Sequence, residues 1–89
     1  MTVPYSWAVY MVRCADGTIY TGVTTDVVRR TREHNRGSRG AKYTRSRRPV
    51  VLVHYEGADS RSAACKVECL IKKLSRADKE ALIEKRGSP

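Results

Sequence analysis

The 89-residue chain has no run of about 18 apolar residues, so nothing in it reads as a membrane span. Its first ten residues, MTVPYSWAVY, lack both a basic lead and a long apolar core. That argues against a signal peptide and for a cytoplasmic location. Cysteine is scarce and odd in number, with three in all. Three cysteines cannot close a disulfide set, which small secreted domains usually do. Cys65 and Cys69 are four apart and form no CxxC. They could join His34 or His54 at a zinc site, but the simpler expectation is that Cys14, Cys65 and Cys69 all serve as small buried hydrophobes. There is no internal repeat and no low-complexity segment. The length allows one domain, residues 1–89 with a core at about 6–85, and a domain this small buries only about 60–65% of its unfolded surface.

Acidic residues are also few, nine against eighteen basic, and the net charge is +9. The excess is concentrated. Residues 29–48 hold nine basic side chains and one acid, Glu33, for a local charge of +8. Twelve of the eighteen basic residues are arginine, whose planar fork suits bidentate phosphate contacts. A basic membrane-surface helix would need a face of bulky apolar residues, and this window has none. A polyanion is the expected partner, and nucleic acid is the commonest. The expected contacts are Arg29, Arg32, Arg36, Arg39, Lys42, Arg45, Arg47 and Arg48.

The periodicity divides the chain into short elements. "WAVYMVRC" (7–14) and "TIYTGVT" (18–24) are β-branched, aromatic and apolar, which suits strands. Ala15-Asp16-Gly17 between them fits a three-residue hairpin loop with glycine in the left-handed position. That register sets Cys14 opposite Thr18 and Val12 opposite Tyr20, and it puts Tyr10 and Tyr20 on one face. A two-residue turn would separate them. Thr25 or Asp26 caps a helix running to about Asn35, with Arg30 and His34 on one side. The glycine-broken basic stretch after it reads as a loop, with one helical turn near 41–44. "PVVLVHYE", from Pro49, is a third strand, in which alternation groups His54 with Val50 and Leu52. Ser60 caps a helix with an apolar stripe of Ala63, Ala64, Val67, Ile71 and Leu74. Ser75 and Asp78 form a capping-box pattern that opens a last helix. The predicted class is α/β: a three-stranded antiparallel-type sheet flanked by helices, in the order β-β-α-β-α-α.

"AVY" (8–10) and "YTG" (20–22), in adjacent strands, resemble the two half-motifs of the GIY-YIG nuclease superfamily. Arg30 lies ten residues beyond the second tyrosine, as the family's arginine does. His34 is one helical turn later, and Glu68 falls on the helix after the third strand, where the family carries a metal-binding glutamate. "GAKYTRSRRPVVLVHYE" further resembles the small stand-alone bacterial branch, often called YhbQ-like. Two departures are visible: the first triplet begins with Ala8, and no asparagine follows Asn35.

The resemblance implies a metal-dependent endonuclease that hydrolyses DNA phosphodiesters in branched, damaged or single-stranded structures during repair or recombination. It implies Tyr20 as general base or water-positioning group, Tyr10 orienting the water or phosphate, and Arg30 neutralising the phosphate. His34 would contact the phosphate or shuttle a proton, and Glu68 would hold Mg²⁺ or Mn²⁺. Taken singly, the residues have plainer readings. The tyrosines could be packing aromatics, His34 a surface helix residue, and Glu68 half of an ion pair with Lys72 worth about 0.3–0.5 kcal/mol. The alternative function is a basic nucleic-acid-binding module with little chemistry. A monomer or a homodimer, with no membrane partner, is expected in either case.

Overall fold

The computed structural model describes residues 6–87. In chain order the elements are β1 (Trp7–Arg13), β2 (Ile19–Thr24), α1 (Val27–Asn35), α2 (Lys42–Arg45), β3 (Val51–Ala58), α3 (Arg61–Lys72) and α4 (Arg76–Gly87). The expected β-β-α-β-α-α order is present, and the single turn in the basic loop forms α2. The sheet is antiparallel with strand order β2-β1-β3. The central strand is the most apolar one, and its residues 8–12 are all buried.

The hairpin has the three-residue loop. Cys14 N–H donates to the Thr18 carbonyl at 2.8 Å, Val12 pairs with Tyr20, and Gly17 takes the left-handed conformation at φ 87°. The turn is held from both sides. The Asp16 carboxylate accepts from the Thr18 hydroxyl at 2.6 Å and from Arg47 at 3.0 Å, while Arg76 donates to the Gly17 carbonyl at 2.8 Å. The predicted helix caps also form. Asp26 accepts from Arg29 N–H, Ser60 from Ala63 N–H, and Ser75 from Asp78 N–H.

Residues paired directly across an antiparallel sheet share a face. Val9 and Met11 on one face join Ala64, Ile71 and Ile83 in an aliphatic core, flanked by Trp7, Ile19, Val23, Val67 and Leu82. The helices on this side are α3 and α4. The other face carries Tyr10, Val12, Cys14 and Val50, with Tyr20, Val27 and Leu52 packed against them. Within the predicted stripe on α3, Ala64 and Ile71 are buried, and Ala63, Val67 and Leu74 are half-buried. On α4, Glu80 accepts from Arg13 at 2.6 and 2.8 Å and from Arg76 at 2.9 Å. Those hydrogen bonds, Arg13's first, hold its carboxyl down at about 2.

Three expectations change. The third strand starts at Val51, not Pro49, and continues through Gly57 to Ala58. His54 does not lie with Val50 and Leu52. Met11 pairs with His54 and Val12 with Leu52, so Val53 is the extra residue of a β-bulge. The bulge shifts His54 to the aliphatic face, where it is buried beside Met11. Its Nε2 lies 2.9 Å from a Glu56 carboxylate oxygen, and its Nδ1 has no hydrogen-bond partner among the described residues. Of the cysteines only Cys14 is buried; Cys65 is half-buried and Cys69 exposed, because the apolar stripe of α3 turns other residues inward. Among the described residues no helix is long and apolar enough to cross a membrane.

Candidate active site

Tyr10 stands on the central strand and is 1% exposed. Its register partner is Gly22. A Cβ at position 22 would lie 2.6 Å from the Tyr10 hydroxyl oxygen and 2.8 Å from Cζ, so the phenol occupies the space that glycine leaves. This is a physical reason for the second triplet to end in glycine. The Tyr10 hydroxyl is hydrogen-bonded to Nε2 of His34 on α1 at 2.6 Å. His34 is wholly buried, and its Nδ1 lies 2.8 Å from the hydroxyl of Thr44 on α2. Tyr20, on β2, packs its ring edge-on against His34 with centroids 5.2 Å apart and lies 6.4 Å from the Tyr10 ring. Tyr43 stacks on Tyr20 at 5.9 Å, and the Arg47 guanidinium covers Tyr43 at 3.9 Å.

Burial pushes the Tyr10 phenol up to about 12, opposed by nearby Arg30 and reinforced by the charges of Tyr20 and Glu68. Arg30 on α1 and Glu68 on α3 therefore act on the same hydroxyl from different elements. Burial also pushes His34 down to about 4, with the Arg30 charge adding to the effect. The imidazole is thus neutral at physiological pH. Arg30 is aimed by the Glu33 carboxylate at 2.9 Å and the Arg39 carbonyl at 2.7 Å. The Tyr20 hydroxyl makes no hydrogen bond among the described residues.

Glu68 pairs with Lys72 at 3.3 Å, and its side chain is 22% exposed. No group of three metal-ligating side chains occurs among the described residues, which leaves the zinc alternative without a ligand set. Magnesium has a different requirement. It keeps several waters and is commonly held by one or two carboxylates plus substrate phosphates. Glu68, a half-buried carboxylate whose charge reaches the Tyr10 hydroxyl, fits that demand.

The basic residues divide into two groups. Arg48 donates to the His34 carbonyl at 2.7 Å and the Gly37 carbonyl at 2.7 Å, closing the C-terminal end of α1. Arg47 is committed to Asp16, the Tyr43 carbonyl and the Tyr43 ring. Arg29 touches Thr25 at 3.3 Å and Glu33 at 3.8 Å. By contrast, the side chains of Arg32, Arg36, Arg39, Lys42 and Arg45 are exposed and make no hydrogen bond or ion pair among the described residues. Arg32 and Arg36 together line two open hollows of about 400 and 380 Å³ beside α1.

Residues 6–81 match the model of the GIY-YIG catalytic domain. The chain belongs to the GIY-YIG family. It is 54% identical over 79 residues to a UPF0213 protein of Desulfotalea psychrophila, covering 89% of this chain and 72% of the relative. It is 62% identical over 74 residues to one of Halobacterium salinarum, covering 83% and 95%. The solution structure of a UPF0213 protein of Bacillus halodurans superposes with a TM-score of 0.60 at 46% identity, covering 93% of this chain and 87% of that one. GIY-YIG domains are generally endonucleases that depend on a divalent metal and act on nucleic acid.

Tyr10 and Tyr20 share a face as the hairpin register requires, but three contributors have no role in a reading of the sequence. Tyr43 and Thr44 lie in a stretch that composition marks as loop. Asn35 joins α1 to the start of β3: its side-chain amide donates to the Val50 carbonyl at 2.9 Å and accepts from Val50 N–H at 2.7 Å. The available signal was the position of "KYT" in a predicted helical turn, which brings Tyr43 and Thr44 back toward the preceding helix.

Proposed function

We propose that the protein is a divalent-metal-dependent endonuclease that hydrolyses DNA phosphodiesters in branched, damaged or single-stranded structures, in the service of repair or recombination. The observation that carries this reading is the pair of tyrosines. Tyr10 has its hydroxyl fixed by His34, beside Arg30 and within reach of the Glu68 charge, and the Tyr20 hydroxyl makes no hydrogen bond among the described residues.

Hydrolysis needs an oriented water, a place for its proton and relief of charge at the phosphate. Tyr20 receives the water and takes its proton. A phenol acts as a base only as its phenolate. Arg30, beside the Tyr10 hydroxyl, faces the charge that builds on the scissile phosphate. Tyr10 lines the water up beside Tyr20. His34 is buried with both ring nitrogens engaged, which favours holding Tyr10 over touching the phosphate. Glu68 would hold the divalent ion once Lys72 swings away, and the ion when bound polarises the phosphate and stabilises the leaving oxygen. Arg32, Arg36, Arg39, Lys42 and Arg45 grip the backbone, which positions a nucleic acid without reading its sequence. That suits a substrate chosen by shape.

The test is magnesium-dependent cleavage of single-stranded, duplex, flap and junction DNA, with matched RNA, by the parent and Glu68→Gln. The parent should cut branched DNA. The variant should cut nothing yet bind as tightly or more tightly, since a bare carboxylate near phosphate is gone. A parent that binds DNA and cuts none of these substrates in magnesium or manganese would instead be a binding module. A variant that cuts as well as the parent would place the metal elsewhere.

A further inference from the structure

The Thr44 hydroxyl has one proton to give. It lies 2.9 Å from the Ala41 carbonyl, which can only accept. A proton given there makes the threonine oxygen the acceptor in the 2.8 Å contact with His34 Nδ1, although the same carbonyl also accepts from Thr44 N–H at 3.0 Å and Arg45 N–H at 3.1 Å. The competing partner, Ala41 N–H, is 3.4 Å from Nδ1, at the far edge of hydrogen-bonding range. With Nδ1 protonated and the ring neutral, Nε2 carries a lone pair, and the Tyr10 O–H must donate into it. Every proton in the chain then points inward, from Tyr10 to His34 to Thr44 to the Ala41 carbonyl.

We infer that Thr44 is a positioning residue that fixes the His34 tautomer and so makes Tyr10 present only acceptor lone pairs to the site. The opposite tautomer would set Nε2–H against the Tyr10 oxygen and turn the phenol proton outward, toward the cationic Arg30. A donor would then face a donor where a water has to be received. The role of Thr44 in cleavage rests on the nuclease reading above, but its role in the tautomer does not.

The experiment is nitrogen NMR of the full chain labelled at histidine, at neutral pH. Only two histidines need to be told apart, His34 and His54. The parent should show His34 protonated at Nδ1 and bare at Nε2. Thr44→Ser keeps the acceptor and should keep that pattern. Thr44→Val keeps the volume and removes the acceptor, which leaves Ala41 N–H as the partner of Nδ1 and should move the proton to Nε2. Cleavage by Thr44→Val should fall about 10–100-fold, the usual effect of removing a supporting hydrogen bond, with DNA affinity unchanged and activity restored in Thr44→Ser. A parent protonated at Nε2 overturns the inference, and so does a Thr44→Val protein that retains the Nδ1 proton. If Thr44→Val does not fold, the parent and Thr44→Ser spectra decide alone. The expected tautomers in a protein that cuts nothing would support Thr44's placement of the proton and sink the nuclease reading instead.

Discussion

Each face of the sheet buries one histidine, and the two are treated in opposite ways. His34, on the side of α1 and α2, has both ring nitrogens engaged within 2.8 Å. His54, on the side of α3 and α4, has one nitrogen near Glu56 and the other without a partner among the described residues. The surroundings match. The aliphatic face is built from Val, Met, Ile and Ala, where hydrophobic swaps that conserve volume are tolerated best. The aromatic face is a hydrogen-bonded and stacked network whose members depend on one another. In a low-dielectric interior a polar group without its partner is costly, so a satisfied network has few tolerated alternatives. One face is thus a packed aliphatic core and the other a network of mutually dependent polar and aromatic side chains.

The sharpest way to break this division is to truncate one residue on each face. Tyr20→Phe should lower cleavage by about 10²–10⁴ and leave the thermal midpoint almost unmoved, because only a free hydroxyl is lost. Met11→Ala should do the reverse. It removes about 2–5 kcal/mol of stability by opening a cavity, while the folded fraction cuts at the parental rate. If both variants lost stability and activity in proportion, the two faces would be one unit.

A smaller effect separates the faces by pH. His34 is held near 4 in the folded protein against an ordinary 6.5. Between those values the unfolded chain binds a proton that the folded one refuses, so stability is complete above about 6.5 and drains as pH falls toward 4. The loss is on the order of 3 kcal/mol. A plot of thermal midpoint against pH should show this limb in the parent. A His34→Asn variant should flatten it, even if that variant starts lower.

The smallest effect distinguishes the free arginines from the committed ones. Alanine at Arg32 and Arg36 should flatten the log–log salt dependence of DNA binding by up to about 1.8 units and leave stability alone. Alanine at Arg48 should lower stability, since two backbone carbonyls lose their donor. An unchanged salt slope for the first pair would turn that side of α1 away from the substrate.

What could be read from the sequence was whatever is local. Gly17 in the turn fixed the register of Tyr10 and Tyr20, and Asp26, Ser60 and Ser75 marked helix starts through contacts three residues long. The i, i+4 spacing put Arg30 and His34 on one side of α1, but it carries no information about depth, so burial of His34 was not visible. His54 was misplaced because a bulge belongs to a pair of strands and cannot be seen in one. Arginines read alike in a charge count, yet Arg47 and Arg48 face carbonyls and Asp16 while Arg32 and Arg36 face water, a difference set by distant partners. Thr44 was illegible for the same reason: its value lies in a ring ten residues away.

The Asn35 side chain meets the Val50 backbone as another peptide unit would, one donor against one acceptor. It thereby fastens the two ends of residues 36–49 together. Glycines at 37 and 40 would otherwise make that segment a slack tether. Because the ends are fastened, the conformational entropy of the loop is spent when the chain folds and not when a ligand arrives. A polyanion then meets a preset surface, and its capture is governed by the frequency of encounter and the attraction of opposite charge, with no slow rearrangement in between.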